Sequence, residues 1–105
     1  MSETTTPDRV VRIRVTVRGQ VQGVGFRWFV VRQAAQLGLV GWVANAPDGT
    51  VRLEAEGERA GVDRFVALLR AGPPGASVED VSEWDLPPAR NEAAFAVRAL
   101  AHRGD

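Results

Sequence analysis

The apolar positions of this chain change period along its length, from two to nearly four and back, and nothing else constrains the fold as tightly. Val11, Ile13, Val15 and Val17 alternate with Arg12, Arg14 and Thr16, the pattern of a strand with one buried face. Glycines at 19, 23 and 25 then mark a loop. Phe26, Val30, Ala34 and Leu37 recur at helical spacing and predict a helix over Phe26 to Leu37, which Gly38 is placed to end. A second strand is predicted over Leu39 to Ala44, and Val51, Leu53 and Ala55 define a third. Between them Pro47-Asp48-Gly49 reads as a hairpin turn, since proline presets φ and Asp-Gly accepts the left-handed region. A second helix runs from about Arg59 to Arg70, with Val62, Phe65, Val66 and Leu69 on its apolar side and Gly72-Pro73-Pro74 stopping it. Val78 to Leu86 alternates imperfectly, which predicts a weaker strand with a bulge. Phe95, Val97 and Ala99 close the pattern with a short strand.

Strand, helix, strand, strand, helix, strand is the split βαβ order of a ferredoxin-like α+β sandwich. Two helices are expected on one face of an antiparallel four-stranded sheet, with a short fifth strand added, because the strands alternate rather than being apolar throughout. Arg12, Arg14, Arg52, Glu54 and Glu56 then line the open face as a solvated, mutually paired surface. In this topology the first two strands run parallel with the third between them, so their C-terminal ends share one edge of the sheet. That edge brings the glycine loop beside Asn45.

At 105 residues the chain has room for one domain. Residues 1–9 read as a disordered tail, 10–100 as the domain and 101–105 as a frayed end. There is no cysteine, which removes disulfides, thiolate metal sites and cysteine nucleophiles together. The 13 cationic side chains are all arginine and balance 13 acids, so no lysine can form a Schiff base or serve a phosphate loop. Zero net charge also argues against a nucleic-acid partner, which ordinarily selects a basic excess. No stretch reads as an export signal or is long enough to cross a bilayer, so neither a membrane partner nor a location outside the cytoplasm is expected.

The loop from Gly19 to Arg27 carries the chemistry. No Ser, Thr, Asp or Asn precedes the helix it opens, so the first amides lack an obvious side-chain cap. Glycines allow several backbone N–H groups to converge, and with the helix dipole behind them such groups attract an anion. Arg27 adds a bidentate cation at the same place. Most glycine-bearing loops are only loops, and this one has neither the Walker lysine nor the G-x-G-x-x-G spacing.

The run Gly19-Gln20-Val21-Gln22-Gly23-Val24-Gly25-Phe26-Arg27 resembles the phosphate-binding loop of the acylphosphatase family. The likeness continues through Leu37-Gly38-Leu39-Val40-Gly41-Trp42-Val43-Ala44-Asn45 and Pro47-Asp48-Gly49-Thr50-Val51. It extends to Glu56-Gly57, Gly72-Pro73-Pro74-Gly75-Ala76-Ser77-Val78 and Phe95-Ala96-Val97, in the family's order. The resemblance implies hydrolysis of acyl phosphates to a carboxylate and inorganic phosphate, with no metal and no cofactor. It implies that Arg27 grips the phosphoryl oxygens within a backbone cradle of Gln22, Gly23, Val24, Gly25 and Phe26, and that Asn45 orients the attacking water. The partner is then a small-molecule acyl phosphate, with inorganic phosphate as product, and a monomer is expected. Trp28 and Trp42 read as core or rim packing rather than substrate stacking, and His102 as part of the tail. Two rivals stand beside this reading. One is an RNA-recognition module, which shares the element order but places aromatics on exposed central strands. The other is a non-catalytic anion-binding module that keeps the loop.

Overall fold

A computed structural model describes residues 9–99, and the expectations for 1–8 and 101–105, His102 included, fall outside the described residues. Strand β1 (Val10–Gln20) leads through the glycine loop to helix α1 (Phe26–Gln36), β2 (Val40–Asn45) and β3 (Val51–Glu58). Helix α2 (Arg59–Ala71), β4 (Ser77–Leu86) and β5 (Phe95–Val97) follow. The five strands form one sheet in the order β4-β1-β3-β2-β5. Four of them are antiparallel neighbours, while β5 pairs with β2 in parallel, so the sheet is mixed only at that edge.

The alternation read from the sequence sorts the residues as expected. Ile13, Val15 and Val17 of β1, Val43 of β2 and Val51, Leu53 and Ala55 of β3 share one core with Phe26, Val30 and Ala34 of α1. Val62, Phe65, Val66 and Leu69 bring α2 into the same cluster, so both helices cover one face. Each large side chain buried there contributes about 1.5–3 kcal/mol. The bulge anticipated in β4 is present: Arg18 faces Asp80 but Gly19 faces Val78, leaving Glu79 without an opposite number. Gly19 has φ 131°, and a Cβ there would collide with the Ser77 carbonyl oxygen, so only glycine fits the kink.

The open face departs from expectation at one end. Arg12 and Glu56 are only 5% exposed each, rather than solvated. The cause is topological. Consecutive strands β4 and β5 lie at opposite edges, so the chain between them must cross the sheet. It passes over this end, where the amides of Ala89 and Arg90 donate to the Glu56 carboxylate at 2.7 and 3.0 Å. The Arg12 guanidinium donates to Glu54, Glu56 and Glu92 at 2.9, 3.0 and 2.8 Å. Burial works against the Arg12 charge, but the bonds to Glu92, Glu56 and Glu54 outweigh it and raise its pKa.

Candidate functional site

Gly25 forms the N-cap of helix α1 and sits in the left-handed region at φ 78°, and among the described residues no side chain caps the helix. The Gly25 carbonyl accepts the first helical bond, from the Phe29 amide at 3.0 Å. The amides of Phe26, Arg27 and Trp28 therefore point out of the helix end without intrahelical acceptors, and the helix dipole adds positive potential there. Gly23 at φ 75° gives the preceding turn that aims the loop at the same spot.

Asn45 reaches this spot from the sheet. It is the last residue of β2 and stands opposite Val51, which in turn stands opposite Val17. Side chains alternate along a strand, so Asn45 shares the helix-covered face with Val43. Its Oδ1 is buried and has no hydrogen-bond partner among the described residues. Leaving such an oxygen unpaired costs about 1–3 kcal/mol, which makes it a ready acceptor for a donor brought in by a bound species.

These groups enclose a cavity of about 120 Å³ lined by Val21, Gly23, Gly25, Phe26, Arg27, Trp28 and Asn45. Of the residues singled out from the sequence, Arg27, Asn45, Gly23, Gly25 and Phe26 are thus brought together. Gln22 and Val24 do not line it. Val24 packs against the core. The Gln22 side chain turns away and donates from Nε2 to the carbonyls of Ala46 and Thr50, at 2.8 and 2.9 Å. It braces the loop against the β2–β3 hairpin immediately after Asn45. The hairpin is itself tied: Ala46 N donates to Thr50 O at 2.8 Å, and Thr50 donates from its amide and hydroxyl to Asp48 Oδ1 at 3.0 and 2.6 Å. Those Thr50 bonds, side chain before backbone, with a bond to Arg52, hold the Asp48 carboxyl down at about 2.

The side-chain brace and the lining role of Val21 and Trp28 were missed from sequence. A glutamine inside a glycine loop was the only signal for the first, and it does not say which carbonyls the amide will find. A larger hollow of about 670 Å³ lies on the open face among Arg14, Arg52, Trp42 and Trp84. Arg14 and Arg52 are paired there, with Glu54 at 3.4 Å and Asp48 at 2.8 Å, and Arg18 lines it as well. Trp42 lies beneath the Arg98 guanidinium, 5.0 Å from the ring centre. The smaller cavity holds the convergent chemistry. Among the described residues no group of three or more His, Cys, Asp or Glu is arranged to hold a metal ion, and no helix is long and apolar enough to cross a membrane.

Comparison with known proteins gives a consistent picture. The family model for acylphosphatase matches residues 13–97. An acylphosphatase of Trichormus variabilis is 48% identical over 88 residues, spanning 83% of this chain and 87% of the relative. One from Anaeromyxobacter dehalogenans is 48% identical over 89 residues, spanning 84% and 95%. The crystal structure of acylphosphatase from Bacillus subtilis superposes with a TM-score of 0.81 at 36% identity, covering 84% of this chain and 98% of that one.

Proposed function

The chain belongs to the acylphosphatase family and is an enzyme of acyl phosphate hydrolysis, and from that premise we propose how its residues divide the work. Arg27 and the amides of the glycine loop hold the phosphoryl oxygens. Asn45 places the attacking water through its side-chain amide. One observation carries the reading: Arg27 and Asn45, from different elements, line one cavity together with the uncapped start of α1.

The chemistry asks little more of the protein. The water oxygen forms a new bond to phosphorus while the bond from phosphorus to the bridging oxygen breaks. Its electron pair leaves with the carboxylate. That leaving group has a conjugate-acid pKa of about 4, so it departs without a proton and needs no general acid. None of the lining residues is Asp, Glu, His, Ser or Cys, so none offers a base or a nucleophile for a phospho-enzyme. The water's proton passes instead to a phosphoryl oxygen held in the cradle. What remains for catalysis is positioning and stabilisation of charge spread over the equatorial oxygens, which a guanidinium and fixed amides supply without a metal. The Asn45 Oδ1, buried and unpaired, accepts a hydrogen bond from that water and turns a lone pair towards phosphorus.

The test is hydrolysis of benzoyl phosphate in ¹⁸O-labelled water, with and without a chelator. Label is expected in phosphate, and the rate is expected to survive chelation. Label in benzoate would place attack at the acyl carbon and overturn the assignment; activity abolished by the chelator would overturn the metal-free mechanism.

A further inference from the structure

Resting on the assignment of the cavity to the phosphoryl group, we infer that Trp28 determines substrate class: its indole is the platform for the acyl group, and the enzyme favours acyl phosphates with an aromatic acyl portion. The cavity volume sets the problem. At about 120 Å³ it holds roughly four water-sized volumes, which the PO₃ unit and one water fill. The acyl group therefore lies outside, across the mouth.

Only one lining residue offers it an apolar surface there. Val21 and Phe26 are each 1% exposed and face the core. Gly23 and Gly25 have no side chain, and Arg27 and Asn45 are engaged with phosphate and water. Trp28 is 60% exposed, more than Trp84, the other strongly exposed indole. It occupies the third position of α1, and Cα–Cβ bonds tilt towards the helix N-terminus. Its side chain thus extends on the side to which the free amides point. Unlike Trp42, which Arg98 covers, Trp28 has no ring or cation contact among the described residues. A free indole face beside a phosphate pocket suits an aromatic ring stacked or tilted against it. A methyl group covers too little of it to benefit.

The experiment compares kcat/KM for benzoyl phosphate and acetyl phosphate in the wild type, Trp28→Ala, Trp28→Phe and Trp84→Ala. The benzoyl-to-acetyl ratio is expected to fall about tenfold in Trp28→Ala, with the loss in KM, and to be largely kept in Trp28→Phe. Trp84→Ala, an exposed indole removed from the open face, should keep the wild-type ratio. Competitive inhibition by inorganic phosphate, within twofold of wild type in each variant, shows that the loop is folded. An unaltered ratio in Trp28→Ala with phosphate inhibition intact overturns the role of Trp28. A wild type that hydrolyses neither compound overturns the reading of the cavity itself.

Discussion

In the division of work proposed above, Arg27 and Asn45 act on the same bound group in different ways, and on that reading their variants should separate. Arg27→Ala removes charge-assisted hydrogen bonds worth about 1.5–3 kcal/mol apiece, present in the ground state and strengthened in the transition state. A fall in kcat/KM of at least about a hundredfold is expected, together with weaker inhibition by inorganic phosphate. Unchanged phosphate inhibition would remove Arg27 from the site. Asn45→Ala deletes a group that steers water and touches the phosphoryl group little. Its kcat should fall on the order of a hundredfold while KM stays within about twofold. A large rise in KM instead would make Asn45 a substrate-binding residue. Both positions were marked in the sequence by likeness to a family. Residue chemistry alone left Asn45 as a plausible strand end, because an asparagine before a turn is common.

Between elements, the coupling that matters joins the glycine loop to the β2–β3 hairpin. The Gln22 amide spans two carbonyls of the hairpin, at Ala46 and Thr50, and so fixes the distance between the glycine loop and Asn45. Gln22→Ala leaves neither carbonyl orphaned, since Gly49 N still donates to Ala46 O and Ala46 N to Thr50 O. The stability loss should therefore be modest, about 1–2 kcal/mol by denaturant titration. The kcat should nonetheless fall about tenfold, because small displacements of a positioned nucleophile are costly. Full activity in Gln22→Ala would show that the loop and hairpin hold their places unaided. Element boundaries came close from periodicity, α1 ending at Gln36 against an expected Leu37, because helix and strand periods are local properties. The brace depends on two segments meeting in space, and no local pattern encodes that.

Across the whole molecule, the crossing from β4 to β5 is held by the buried Glu56 carboxylate and by the Arg12–Glu92 ion pair. Burial opposes ionisation of Glu56, but the Ala89 amide, the Arg12 guanidinium and the Arg90 amide more than offset it, and its pKa lies below the ordinary 4.5. A depressed folded-state value means stabilisation that is complete above about pH 4.5 and lost as pH falls below it. Asp48, held at about 2, extends the loss in the same direction. Glu56→Gln removes hydrogen bonds to a charged acceptor worth about 1.5–3 kcal/mol. Its Tm at pH 7 should fall on the order of 10 °C, and the drop in Tm between pH 5 and 3 should be shallower than in the wild type. Parallel curves for the two proteins would show that Glu56 is not the source of the acid sensitivity.

The order of elements, the shared face of the two helices and the bulge in β4 could all be read from side chains a few residues apart. Those features follow from periodicity and turn chemistry, which act over one or two turns of chain. The burial of Arg12 and Glu56 could not be read that way. It arises because consecutive strands sit at opposite edges of the sheet and the link between them must lie across it. The site divides along the same line. Its amides and glycines belong to one local segment and were visible there. The closeness of Asn45 to that segment followed from the order of elements. The brace from Gln22 and the exposed indole beside the cavity were decided only when the hairpin packed beside the start of α1, since which side-chain atoms meet between separate elements is a property of the packed sheet and not of any window of sequence.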